Sequence, residues 1–188
     1  MHAIWIDKPG GLDVLSYREC AQPEPNAGEV LVKIAAIGVN FIDVYYRTGL
    51  YAASYPFIPG MEAAGMVEAV GAGVTELKRG DRVVYVSSRP GSYAEYTAVP
   101  ASIVVPIPGE IDDYSAAAAF LQGMTAHYLT HSTYRIQTGD IVLIHVAAGG
   151  VGSFLTQVAR YLGAHVIGTT STAEKVSIAT KNSPKVLR

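Results

Sequence analysis

Only one cysteine, Cys20, stands in the 188 residues. No intramolecular disulfide and no multi-cysteine zinc lobe can therefore form. Charge is scarce as well: Asp, Glu, Lys and Arg make up 16% of the chain and nearly cancel, to a net charge of -2. Without a basic stripe to attract phosphate backbones, composition gives nucleic-acid binding no support. No uninterrupted apolar run reaches the roughly eighteen residues that a spanning helix needs, and Met1 is not followed by a basic segment and an apolar one. The expectation is a soluble protein of a reducing, cytoplasmic compartment, without membrane contact. What the chain does contain is apolar material, 49% of its residues, enough for one large or two small cores.

The stretch from Gly139 to Ser171 organises the rest. Ile141 to Val146 is a nearly continuous apolar run, which predicts a parallel strand buried on both faces. A glycine-rich turn follows at Ala147–Gly152. Val151, Leu155, Val158, Ala159 and Leu162 then recur at helical spacing until Gly163, and a second strand is predicted from His165 to Gly168. Strand, turn, helix and strand within about thirty residues make one βαβ unit. Aligned on the G-x-G-x-x-G fingerprint, the turn reads A-x-G-G-V-G, with Ala147 in the first glycine position. Gly149 lets the backbone approach a pyrophosphate, and Gly152 lets helix and strand pack closely. The helix start offers the N–H groups of the Ala148, Gly149, Gly150, Val151 and Gly152 segment to phosphates.

Before this unit the chain reads differently. Strands are predicted at Met1–Ile6, Val14–Cys20, Glu29–Val39, Ala63–Val70, Asp81–Val86 and Gly91–Val99, separated by turns rich in glycine and proline. Asn40–Arg47 is predicted as a short helix opened by an Asn cap. Together the first hundred residues imply a compact β-barrel-like domain. Asp112, Asp113 and Ser115 are candidate caps for the alanine-rich helix beyond Pro106–Gly109, and helix is expected to continue over Gln122–Ser132.

The strings GVNFIDVYYRTGLY, PGMEAAGMVEAVGAGV, GDRVVY, AAAFLQGMTAHYLT and VAAGGVG, in this order, resemble the zinc-free quinone oxidoreductase branch of the medium-chain dehydrogenase/reductase superfamily, the zeta-crystallin-like NADPH:quinone reductases. The resemblance covers residues 1 to about 180. It implies an α/β plus β fold: a GroES-like β-barrel-type domain over 1–110, a helical connector over 111–137, and the first part of a doubly wound Rossmann domain over 138–188. It further implies NADPH as cofactor and a quinone or an activated enone as the small-molecule partner. Full-length members are homodimers.

Zinc-dependent relatives place Cys where Asn40 stands and His where Met61 stands, and amide and thioether groups do not make a catalytic zinc site. No metal is expected. Glu62 remains from the family's G-x-E element and reads as a structural hydrogen-bonding residue. The resemblance puts Asn40, Asp43, Tyr45 and Tyr51 near the nicotinamide and the quinone, with Asp43 structural. Tyr45 and Tyr46 also suit the packing of a short helix, and Tyr51 a loop anchor. Thr125 is implied on the nicotinamide side, unless its hydroxyl bonds back to its own helix. His127, His131 and His145 read as structural or surface residues. Where a ribose-binding carboxylate is expected stand Thr169, Thr170, Ser171 and Thr172, with Lys175 beyond. This pattern favours a 2′-phosphate and hence NADPH over NADH.

A doubly wound domain needs about six strands. Gly139 to Arg188 supplies two predicted strands, one full helix and a second helix from Thr172. The tail Lys181–Arg188 departs from the family pattern of a glycine turn and a third strand. The expectation is a C-terminally truncated member with poor reductase activity. Two alternatives stand beside quinone reduction: a zinc-free alkenal or enone reductase, and a non-catalytic binding module.

Overall fold

Apolar and β-branched residues dominate Glu29–Gly38 and Glu62–Val70. In the computed structural model, which describes residues 1–182 and 185–187, these stretches are β3 and β4, paired antiparallel. The chain divides into two units, Met1–Phe120 and Leu121–Arg188.

In the first unit, β1 (His2–Ile6) and β2 (Leu15–Glu19) form an antiparallel pair. Strands β5 (Arg82–Val86), β6 (Tyr96–Pro100) and β7 (Val104–Pro106) join β3 and β4 in the order β6-β3-β4-β5-β7. One face of this sheet packs Val30, Val32, Ala63, Val67, Val83 and Tyr85, all 0% exposed. The other face packs Ala36, Ala64 and Val84 against Ala116 and Ala117 of helix α2 (Asp113–Tyr128), whose small side chains allow close approach. The strand expected over Gly91–Val99 is reduced to β6. Its first half is drawn aside because Gly91 and Ser92 donate their N–H groups to the Gly60 carbonyl at 2.9 and 3.1 Å, and Tyr93 donates to Pro59 at 2.9 Å.

Asp112 caps α2, accepting the Ser115 N–H and hydroxyl at 2.8 Å each, and these bonds hold its carboxyl below the usual range. Asp113 instead takes the Arg82 fork, at 2.7 and 3.1 Å. The helix predicted to run on to Ser132 ends at Tyr128 and passes into a π-turn, Leu129–Thr133, on which the His127 and His131 rings stack at 4.2 Å. The boundary between the units falls inside α2, within the segment expected as a connector.

The second unit runs β8 (Ile141–Ile144), α3 (Gly150–Tyr161), β9 (His165–Thr169), α4 (Ala173–Asn182) and β10 (Lys185–Leu187). Its strands are parallel in the order β10-β9-β8, the opening of a doubly wound sheet. Two expectations are corrected here. A third strand does form from the tail. Lys185, Val186 and Leu187 pair along the open edge of β9, and the Thr170 N–H donates to the Leu187 carbonyl at 3.0 Å. Ser183, Pro184 and Arg188 lie outside the described residues.

The second correction concerns β8, which is not covered on both faces. Ile144 is buried and Val142 packs with it against Ala159 of α3 and Ala179 of α4, while Ile141 and Leu143 are 75% and 54% exposed. With helices packed on one face only, the period of two leaves alternate residues open. The strand also stops at Ile144 instead of Val146, since Val146 turns to φ 56°.

Candidate functional site

In the first unit the candidate residues gather where β3 runs into α1 (Phe41–Thr48). The backbone of Asn40 is extended, as a residue ahead of a helix should be. Its N–H donates to Asp43 Oδ2 at 2.9 Å, and the Asp43 N–H returns to the Asn40 backbone carbonyl at 3.0 Å. The expected Asn cap is a reciprocal capping box: the Asn40 side chain faces the Asp43 N–H while the Asp43 carboxylate takes the Asn40 N–H. The Asn40 amide lies by the first turn but spends its nitrogen elsewhere, donating to Glu62 Oε2 at 2.9 Å and, more weakly, to the Gly38 carbonyl at 3.4 Å.

Asp43 is buried, takes a second bond from the Tyr93 hydroxyl at 3.0 Å, and leaves Oδ1 without a partner among the described residues. Burial raises its carboxyl above the usual range, against the opposing pull of the Asn40 N–H and the Tyr93 hydroxyl. The Tyr93 hydroxyl is pushed up too, first by burial and then by the Asp43 charge.

The rings of Tyr45 and Tyr51 meet at 5.3 Å, tilted by 58°, and Tyr46 meets Tyr51 edge-on at 5.8 Å. Phe41, 77% exposed, extends the patch from Tyr45 at 6.2 Å. Tyr51 remains 46% exposed and is anchored by its N–H to the Tyr45 carbonyl at 3.1 Å. The loop-anchor role read for it is thus present, and its ring is still partly open to solvent. Met61, beside Glu62, is buried.

In the second unit the glycine turn is built by exclusion. A side-chain carbon at Gly152 would run into the Val146 carbonyl and the Ala147 backbone, so helix and strand touch there as the fingerprint requires. Ala147 fits in the first glycine position because Gly168 on β9 faces its methyl: a Cβ on Gly168 would lie 2.8 Å from that of Ala147. The positive φ falls one residue earlier, on Val146. Among the described residues no side chain caps α3 at Gly149, and the first N–H groups of a helix have no partner within it.

Beside this turn lies a pocket of about 240 Å³ lined by His145, Val146, Ala148, Thr169, Thr170, Ser171 and Lys175. Thr170 Oγ1 is buried with no partner among the described residues. His145 Nδ1 sits 3.1 Å from Thr169 Oγ1. Thr125, on α2, donates its hydroxyl to the Leu121 carbonyl at 2.8 Å.

The structure therefore joins Asn40 with Asp43, Tyr45 with Tyr51, and Ala148 with Thr170, Ser171 and Lys175. Sequence reasoning missed the partnership of Glu62 with Asn40 and that of Tyr93 with Asp43. It set His145 among structural or surface residues, and the structure leaves it exposed, on the pocket wall. Its place two residues before the glycine turn was the available signal.

Comparison with known proteins follows the same two parts. Residues 26–109 match the alcohol dehydrogenase GroES-like domain. A probable quinone oxidoreductase of Schizosaccharomyces pombe is 46% identical over 186 residues, 97% of this chain and 56% of the relative. A 2-haloacrylate reductase of a Burkholderia species is 43% identical over 185 residues, 95% of this chain and 56% of the relative. The solved quinone oxidoreductase of Escherichia coli, complexed with NADPH, superposes with a TM-score of 0.97 at 43% identity, covering 100% of this chain and 58% of that one. The chain thus spans little more than half the length of these relatives. With the GroES-like domain match, the identities and the order of the β10-β9-β8 sheet in agreement, this chain is similar, over the length it spans, to quinone oxidoreductases.

Proposed function

We propose that this chain carries the substrate-facing unit and the dinucleotide pocket of an NADPH-dependent, zinc-independent quinone reductase. The observation that carries the reading is the pocket beside β9, where the unpartnered Thr170 hydroxyl, Ser171 and Lys175 converge with His145. A buried hydroxyl without a partner is costly unless a ligand satisfies it. A hydroxyl and ammonium set without a carboxylate fits a 2′-phosphate. The N–H groups at the start of α3 fit the pyrophosphate, with Gly149 and Gly152 giving the close approach.

When bound, NADPH supplies the hydride that a quinone accepts. The protein's own part is positioning. Residues 138–188 hold the dinucleotide, 111–137 connect, and 1–110 present the acceptor side. Tyr45 and Tyr51 offer ring faces and hydroxyls to a flat acceptor. Asn40 and Thr125 are the polar groups assigned to the nicotinamide side. The Asn40 nitrogen already committed to Glu62, and a thioether at Met61, support chemistry without zinc. The second reading, reduction of an activated enone, is favoured by the haloacrylate reductase among the relatives, because the aromatic patch accepts either flat substrate.

Titration of NADPH and NADH by fluorescence, beside Lys175→Glu, tests the pocket. The variant should lose about tenfold or more in NADPH affinity, the worth of one charge-assisted contact, with NADH little changed. Equal affinities for the two cofactors in the parent would show that the 2′-phosphate is not read. Cofactor oxidation with a quinone against an activated enone separates the two substrate readings.

A further inference from the structure

We infer that Glu62 is a positioning residue that fixes which end of the Asn40 amide is offered to a ligand, leaving the carbonyl oxygen as an acceptor for a ligand N–H or O–H. The inference rests on the reading of Asn40 as a site residue. Glu62 is 1% exposed, and its Oε2 lies 2.9 Å from Asn40 Nδ2, with the Gly38 carbonyl on the same nitrogen at 3.4 Å. A carboxylate and a carbonyl both accept, so only the NH₂ end of the amide satisfies that side. The oxygen end is thereby turned to the first turn of α1, where it faces the Asp43 N–H in a capping box and keeps a second lone pair for a ligand, on a residue that is only half buried.

The niche is built for this contact. A side-chain carbon on Gly38 would overlap the Glu62 carboxylate and the Ala117 carbonyl, so glycine alone leaves room for the carboxylate. On the other side, the buried Asp43 carboxylate holds the Asn40 backbone N–H. Burying two carboxylates is costly unless each is hydrogen-bonded, and both of these serve Asn40. A ligand facing Asn40 therefore meets an acceptor: the carboxamide N–H of a nicotinamide or the O–H of a hydroquinone supplies the matching donor.

The test uses the ¹⁵N-labelled 188-residue protein, with the Asn40 side-chain amide assigned by its loss in Asn40→Asp. In the parent, one proton of the pair should resonate downfield and exchange slowly with water. Glu62→Met should abolish both properties while the backbone signals of β3 to β5 persist, and Glu62→Gln, which keeps an acceptor, should retain them. An unchanged Asn40 amide in Glu62→Met overturns the inference. If that variant does not fold, Glu62→Asp withdraws the carboxylate by one methylene while keeping its charge, with the same expected loss and the same overturning result. Titration of NADPH and of a hydroquinone then follows the Asn40 pair in the parent. If neither moves it while the Glu62 variants do, the orienting role stands and the reading of Asn40 as ligand-facing falls.

Discussion

The first unit builds a core on each face of its main sheet, whereas the second packs its helices on one face. On β5, Val83 and Tyr85 enter one core and Val84 the other. On β8, Val142 and Ile144 enter a core and Ile141 and Leu143 face outward. The difference follows from what packs on each sheet. Stability in the first unit should therefore be concentrated in its strands, and in the second at the seam where the glycine turn joins helix and strand.

The largest expected effect breaks the first unit alone. Tyr85 is 0% exposed and its hydroxyl lies 3.0 Å from Ser92 Oγ, itself buried. Tyr85→Ala should cost about 3–5 kcal/mol, the range for losing a large buried aromatic. Urea unfolding followed by probes in each unit should show the first transition moving and the second staying. A common shift in both would mean that the units unfold as one.

The seam of the second unit should answer to a single methyl. At Gly152 the neighbours of an added carbon are backbone atoms of Val146 and Ala147, which cannot swing aside. Gly152→Ala is expected to cost about 1–3 kcal/mol by overpacking and to remove NADPH binding, leaving the first unit untouched. Calorimetry with and without NADPH reads both effects.

Much of this arrangement was legible beforehand, and the failures have physical causes. The glycine turn, α3 and β9 could be read because the fingerprint fixes strand, turn and helix in one short stretch. The short helix after Asn40 was legible as a local pattern, whereas the ring contact of Tyr45 with Tyr51 came only with the fold of the loop beyond Gly49. The Glu62 contact to Asn40 was not legible, since it joins residues 22 apart in sequence through a strand pairing. Apolar continuity over Ile141–Val146 said nothing of how many faces would be covered. The left-handed φ of Val146 had no signal at all, because a β-branched residue is the last to be expected there.

That strained residue gives the next smaller prediction. A non-glycine residue in the left-handed region costs about 1–2 kcal/mol, and glycine returns about 0.5–1 kcal/mol of this as unfolded-state entropy. Val146 is 61% exposed, so little packing is lost on removing its side chain. Val146→Gly should thus stabilise the second unit by up to about 1 kcal/mol, seen as a higher melting temperature for that unit only. A loss of stability would show that the side chain is held by contacts worth more than the strain.

The smallest expected effect is the sharpest test of the one-sided sheet. Leu143 is 54% exposed, and its neighbour Ile144 is 5% exposed on the same strand. If the outward face of β8 meets only water, Leu143→Ser removes apolar surface that is mostly exposed already, and the change should stay within about 0.5 kcal/mol. The same substitution at Ile144 puts a hydroxyl into the core with Ala159 and Val166 and should cost several times more. Parallel pairing to β9 leaves the other edge of β8 without a strand among the described residues. An apolar face next to an open edge promotes self-association. Leu143→Ser should therefore also shift sizing chromatography of concentrated protein toward the monomer. A cost at Leu143 as large as at Ile144, with elution unchanged on dilution, would mean that this face is covered in solution and that the contrast between the two units is not one of covered faces.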